Sequence, residues 1–460
     1  MAKDKEDIKF AKTFIEGEFH LGLWSYIKKG VSVLDSFFIL RSLSLYQFGV
    51  YQLLLTLYAF LSDVFHDLFA GVISNDIVRF VGEGKESYAK KLFLEYAVFR
   101  ILMTVPPFIY TFFIAPHSWV RYGQDAITWV RILSVLFIVD TLLNLAMLLL
   151  NLRLEFRILA IRPTLQKVIQ FSLLAYFFFF QHLDLTRIFL AQVLAPIFLL
   201  LLFIPALIRS FRPWRKLKTA RELKIFKIIF SYGVWEVPQL ILRDFLARVR
   251  PFLIKLFLNT EAVGIFGIAN TALSMLKDLL PTRTLNALMP RKAHDENYLN
   301  YLLYYGTKYY VLMALGAAAI GAVAFPLGVH YIFPQFEPSI PLFYILLPSL
   351  FIFAFTKIMN LLQLVYRKQN MIFYQSFAKN AIGTLALVVF IPLGGLYGIS
   401  LGTEVGELVS TYLWYYILLR IKFIEPLRIK TFFQITDEDR RIVGLVRTHL
   451  VAMLPWKRNA

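Results

Sequence analysis

The feature that most constrains this chain is a series of apolar runs about twenty residues long, separated by short polar breaks. A helix of about that length crosses the roughly 30 Å hydrocarbon layer of a bilayer. Twelve such stretches can be drawn. The first six are approximately Leu21–Leu40, Gln47–Ile73, Leu92–Ile114, Ala126–Leu150, Leu159–Phe180 and Ile188–Ile208. The second six are approximately Phe226–Leu258, Ala262–Met289, Tyr301–Phe325, Ile340–Val365, Met371–Ile391 and Leu396–Leu419. The expected fold class is an all-α polytopic membrane protein. Composition agrees: 17% of the residues are charged, against about a quarter in soluble domains.

The net charge of +19 would suggest nucleic acid in a soluble chain. Here the position of the charge decides. The even-numbered loops carry Arg79, Lys85, Lys90, Lys91, Arg153, Arg157 and Arg162. The break after the sixth span, with the first residues of the seventh, adds Arg209, Arg212, Arg215, Lys216, Lys218, Arg221, Lys224 and Lys227, and later loops add Arg291, Lys292, Arg367 and Lys368. The odd-numbered loops hold only Arg41, Arg121 and Arg187. Basic loops stay on the cytoplasmic side, so both termini are expected in the cytoplasm and the chain in the cytoplasmic (inner) membrane. Membrane lipids, and not nucleic acid, are the expected partners.

Several classes are excluded. The N-terminal MAKDKEDIKFAKTFIEGEFH mixes both charge signs and lacks the apolar core of a cleavable signal peptide. The chain contains no Cys, so disulfides, thiolate metal sites and Cys nucleophiles are ruled out. No Gly-rich nucleotide loop, metal-ligand spacing or nucleophile elbow occurs. The longest external loop, Pro326 to Ser339, leaves no room for a catalytic domain. No enzymatic activity, cofactor or resident metal is expected; a coupling ion, where one is used, would be Na+ or H+.

An internal repeat organises the spans. Gly49–Phe65 reads GVYQLLLTLYAFLSDVF and Gly264–Leu280 reads GIFGIANTALSMLKDLL. An offset of 215 superposes Gly49 on Gly264, Thr56 on Thr271, Leu61 on Leu276 and Asp63 on Asp278. The preceding helices open alike, Gly22-Leu-Trp24 against Gly233-Val-Trp235, at an offset of 211. Two halves of six spans each share one orientation, which places a pseudo-two-fold axis along the membrane normal. The expected organisation is a six-helix lobe over 1–208, a basic cytoplasmic linker over 209–225, a second six-helix lobe over 226–420, and a tail over 421–460. The tail opens on Thr436 and Asp439, and repeats Ile442, Val446, Leu450 and Met453 as an amphipathic surface helix.

Charges inside the spans mark the candidate site, because an Arg or Lys at the bilayer centre costs about 2.5–3.5 kcal/mol and so faces protein or water. In the first span Ser25, Lys28, Lys29, Ser32, Asp35 and Ser36 share a stripe about 120° wide. In the seventh, VWEVPQLILRDFLARVRPFLIKLF, Glu236, Arg243 and Arg250 form one line, and Asp244, Arg248 and Lys255 a second. Pro238 and Pro251 are expected to kink that helix. Lys28, Lys29, Arg243, Arg248 and Arg250 are therefore expected to line a cleft between the lobes. Such a surplus of cations suits a phosphate or diphosphate, to which Arg donates bidentately. The competing expectation is that the charges pair with one another, Asp244 with Arg248 at i,i+4 for instance. Asp35, Asp63, Asp244 and Asp278 are the ion-coupling candidates; Asp67, Asp140, Glu404, Glu407 and His66 are less specific.

NTEAVGIFGIANTALSMLKDLLPTRTLNALMP (Asn259 to Pro290), SLYQFGVYQLLLTLYAFLSDV (Ser44 to Val64) and FSYGVWEVPQLI resemble the polysaccharide-biosynthesis flippases. These belong to one superfamily with multidrug extruders and the lipid II flippase. The resemblance implies translocation of a polyprenyl-diphosphate-linked oligosaccharide to the outer leaflet. It also implies glycan polymerase or glycosyltransferases as further partner candidates. Fewer spans are found than the fourteen of the lipid II flippase pattern. The alternatives are a cation-coupled multidrug exporter, which would favour acidic cleft residues, and a membrane enzyme or scaffold of glycan assembly.

Overall fold

A computed structural model describes residues 24, 27–65, 69–153, 155–220, 225, 236–280, 302–365, 369–421 and 440. Regular structure among them is helical. The first half holds α1 (residues 27–42), α2 (Leu45–Phe65), α3 (Ala70–Gly82), α4 (Glu86–Ile109), α5 (Asp125–Leu152), α6 (Phe156–Phe180) and α7 (Leu185–Arg215). The second holds α8 (Glu236–Arg248), α9 (Arg250–Phe257), α10 (Thr260–Leu279), α11 (Thr307–Ile332), α12 (Ser339–Leu346), α13 (Ser349–Val365) and α14 (Gln369–Arg420). Seven helices among the described residues are long and apolar enough to cross a membrane. The protein is polytopic and all-α, as its hydropathy requires.

The boundaries differ from expectation where local chemistry intervenes. The second span, expected to reach Ile73, ends as α2 at Phe65. Phe69 then takes a left-handed φ of 64°, a conformation few side-chain-bearing residues adopt. The short α3 begins after it and buries Ile73 and Ile77 against α4 and α5. His66 and Asp67 lie outside the described residues. The third span runs on past α4 through a π turn, Tyr110–Ile114, that follows Pro106 and Pro107. α7 continues to Arg215, so the segment expected as linker begins as helix. There Trp214 is fully buried and its indole donates to Glu86 at 3.1 Å. α11 passes through Pro326 to Ile332, which shortens the expected external loop. Arg291, Lys292, Arg367, Lys368, Thr436, Asp439, Ile442, Val446, Leu450 and Met453 lie outside the described residues.

The eleventh and twelfth spans are two helical arms joined at Gly395, whose φ of 53° and ψ of −127° reverse the chain. Beyond that turn Gly398 meets Phe390, Gly402 meets Ala386 and Leu387, and Gly406 meets Gly383. The descending order of partners describes an antiparallel helical hairpin. Glycines four residues apart let the two backbones approach, as small residues do between helices in lipid.

The two halves meet most closely through α2 and α10. A Cβ on Gly49 would lie 2.0 Å from the Thr260 carbonyl oxygen, and one on Gly264 would lie 2.5 Å from that of Leu45. Under the 215 offset Leu45 corresponds to Thr260 and Gly49 to Gly264. The contact is therefore reciprocal, the mark of a two-fold crossing. Asn259 caps α10 by accepting from the Ala262 amide at 2.7 Å, which fixes where that helix starts.

Candidate substrate cleft

Around this crossing, charges reach from one half to the other at positions the repeat relates. On one side Arg248 of α8 places Nε 3.0 Å and a terminal nitrogen 2.9 Å from Asp63 Oδ2 of α2. On the other, the Lys29 ammonium of α1 donates to the backbone carbonyl of Asp278 at the end of α10. Asp63 and Asp278 are equivalent under the 215 offset. Each thus receives a cation from the leading helix of the opposite half, one through its carboxylate and one through its carbonyl. Lys28 is half-buried beside Lys29.

The remaining cations of the seventh span do not all join this group. Arg243 Nε donates to its neighbour Asp244 at 2.8 Å. The expected Asp244–Arg248 pair does not form, because Asp63 from α2 takes Arg248 instead. Lys255 Nζ sits 4.2 Å from the centre of the Tyr122 ring, just before α5 in the first half. Arg250 departs furthest from expectation. α8 and α9 part at Val249, one residue after Arg248 and just before Pro251, whose ring cannot continue the hydrogen-bond ladder. Past that break Arg250 lies against Gly383 of α14, where a Cβ would stand 2.7 Å from its guanidinium. It faces Glu407 inside the second half and not Lys28 and Lys29.

Among the acidic candidates, Asp35 is buried and bonded to Lys167 Nζ of α6 at 3.1 Å. Lys167 also donates to Gln170 at 3.0 Å. Asp140 accepts from the Tyr58 hydroxyl, with Arg162 nearby. Asp35 and Asp63 are therefore held by fixed cations. No group of three or more His, Asp or Glu able to bind a metal ion occurs among the described residues.

Arg250, Glu404 and Glu407 were legible as separate candidates, but not their meeting with Lys277 and Lys379 in one charge cluster. Lys379 Nζ lies 3.0 Å from Glu407, and Lys277, Arg250 and Glu404 complete the group. Glu404 accepts from Ser349. Lys379 belongs to one arm of the α14 hairpin, Glu404 and Glu407 to the other, and Gly383 and Gly406 bring the arms together. The signal was present as Gly398, Gly402 and Gly406 at four-residue spacing, the small-residue pattern of helix crossings.

The polysaccharide biosynthesis protein family matches residues 14–294. A search of curated proteins finds no match. Solved structures share the fold. One is an inward-facing multidrug resistance MATE family transporter of the MOP superfamily, with TM-score 0.67 at 14% identity over 86% of this chain and 94% of that one. Another is the lipid II flippase MurJ in an inward closed conformation, with TM-score 0.69 at 12% identity over 95% and 93%. A third is a MOP superfamily transporter from Pyrococcus furiosus, with TM-score 0.57 at 13% identity over 91% and 96%. The chain belongs to the polysaccharide biosynthesis protein family and folds as the MOP-superfamily transporters do.

Proposed function

We propose that this protein is a flippase. Its substrate would be a polyprenyl-diphosphate-linked oligosaccharide, moved across the cytoplasmic membrane by alternating access between two six-helix lobes. The product would feed surface polysaccharide, lipopolysaccharide included, through glycosyltransferases or a glycan polymerase. The termini are assigned to the cytoplasm by the Lys and Arg distribution. The observation that carries the reading is the seam at which Lys29 and Arg248 cross between halves to reach Asp278 and Asp63, the two positions that the 215 offset relates. Cations placed there meet an anionic headgroup wherever the halves part, and Arg offers the paired donors that phosphate oxygens accept. Arg243 lies five residues before Arg248 on α8, half-buried, and is paired with Asp244.

Transport makes or breaks no bond in this scheme. The protein binds the diphosphate, exchanges intramolecular partners for substrate oxygens, and leaves the hydrocarbon in apolar surroundings. Coupling to Na+ or H+ is part of the proposal. The multidrug-exporter alternative shares the fold, but a seam of Lys and Arg suits an anion better than a cationic drug. Flipping of a fluorescent prenyl-diphosphate sugar by the reconstituted protein tests the assignment. Movement of that lipid, lost on Arg243→Ala in a folded protein, supports it. Movement of a cationic dye instead would favour the exporter.

A further inference from the structure

Between the halves, outward of the cationic seam, lies a cavity of about 400 Å³. Its walls come from α1, α2, α10 and α11, and include Phe37, Tyr51, Ile268, Met275, Phe325 and Val329. The polar atoms in these walls are largely turned away. Ser36 donates to its own helix at the Ser32 carbonyl at 2.9 Å, and Thr271 does the same at Gly267 at 2.7 Å. The Tyr51 hydroxyl is taken by Gln192 at 2.7 Å. What remains is the Gln52 carboxamide in an otherwise hydrocarbon wall. Cavities of this kind stay dry and admit apolar guests, and the volume lies within the range of about 300–1,000 Å³ usual for ligand pockets.

The outer end is closed. Phe37 packs edge-on against Phe333 with ring centres 5.6 Å apart. Gln335 donates to the Leu40 carbonyl at 3.0 Å, and Arg41 reaches the Ile332 carbonyl at 3.4 Å. The inner end is different. Val33, which borders the cavity, is 52% exposed. It stands four residues above Lys29 on α1, a rise of about 6 Å. A cation and the mouth of an apolar cavity are thus separated by about one helical turn on the same helix.

We propose that this cavity receives the hydrocarbon nearest the phosphate of an anionic isoprenoid lipid whose headgroup sits at Lys29. The inference rests on the flippase reading and adds to it a place for the proximal part of the chain. The site takes an amphiphile: phosphate on the cationic seam, the first isoprene units in the cavity, and the rest of the chain in the bilayer. The head and tail sites are coupled because α1 supplies both.

Gly328 provides the test. It lines the cavity, and a Cβ there would meet nothing within 4 Å. Gly328→Phe therefore fills the space without colliding with backbone, and it replaces a poor helix former with a better one. Ala272→Leu reduces the cavity from the opposite wall and serves where Gly328→Phe does not fold. Binding of inorganic pyrophosphate, geranylgeranyl diphosphate and geranylgeraniol would be measured on the full chain in phosphatidylcholine nanodiscs. The expected result is that filling the cavity weakens geranylgeranyl diphosphate about tenfold, the worth of burying a hydrocarbon the size of one large side chain. Pyrophosphate affinity should not change, and geranylgeraniol should bind weakly to every form. Unchanged geranylgeranyl diphosphate affinity in the filled variants would overturn the inference while leaving the flippase reading intact. So would geranylgeraniol binding as tightly as its diphosphate, because the cavity would then take any membrane hydrocarbon. Failure of wild type to bind either diphosphate would remove the flippase reading itself.

Discussion

Breaking the Arg248–Asp63 bridge should uncouple the halves on the inner side without unfolding them. Both donors of Arg248 meet the same carboxylate oxygen, at 3.0 and 2.9 Å. At an effective dielectric of about 20 such a pair is worth about 4 kcal/mol before desolvation is counted. Desolvation removes much of that, and the side chains remain 43% and 24% exposed, so water screens the pair further. Interhelical hydrogen bonds in membrane proteins measure about 0.6 kcal/mol on average and about 1.7 at most. The expected coupling energy is therefore about 1–2 kcal/mol. A double-mutant cycle of Arg248→Ala, Asp63→Ala and the double variant, followed by thermal unfolding in detergent, measures it. Each single variant should lower Tm by a few degrees at most, and the double variant should lie close to the singles. Cysteines placed at the inner ends of α1 and α10 should label faster in all three. A coupling near zero would mean the bridge does not hold the halves together. A coupling of about 3–5 kcal/mol, the cost of stranding a buried charge, would mean the pair is a buried structural bridge and not a releasable contact.

Other consequences can be checked alongside. Gly49→Ala and Gly264→Ala should each separate α2 from α10, since each Cβ would fall within 2.5 Å of a backbone oxygen; a loss of about 2 kcal/mol or more from overpacking is expected, and neutral behaviour of either would contradict the crossing. Glu407→Gln should destabilise by about 3–5 kcal/mol, because it leaves Lys379, Lys277 and Arg250 with Glu404 as the one carboxyl of the cluster. Lys379→Met should cost less, since Glu407 keeps two cations; equal costs would show that the cluster is not electrostatically arranged. Cysteines at Thr219 and Gln335, both exposed, should react from the cytoplasm and from outside respectively; the reverse pattern would invert the topology.

Much of the fold was legible because a bilayer leaves the backbone few choices. Runs of apolar residues located the seven helices that are long and apolar enough to cross a membrane among the described residues, Pro251 located the break after Arg248, and the shared Gly positions located the two helices that cross. Gly49 and Gly264 proved to be the residues that touch across the crossing. The pairing of charges was far less legible. A helical wheel assigns Asp35 to a stripe on α1, but not the Lys167 of α6 that neutralises it. Arg248 had an acceptable partner one turn away in Asp244 and took Asp63 from another helix. Arg250 shared a line with Arg243 on a continuous helix; the break at Val249 turned it toward Glu407. Periodicity reports the face of a helix, whereas a charge chooses among the helices that face it.

The most direct test of the central claim is flipping by the purified protein in vesicles. A fluorescent prenyl-diphosphate sugar would be placed in both leaflets, and the share protected from an external quencher followed over time. Lys29→Ala, Arg243→Ala and Arg248→Ala would be compared with wild type at matched thermal stability. Exchange between leaflets is expected for the wild type, with loss in each Ala variant and partial retention in Arg243→Lys, which keeps the charge but loses the paired donors. Wild-type exchange that persists in all three Ala variants would contradict the claim that the cationic seam holds the diphosphate.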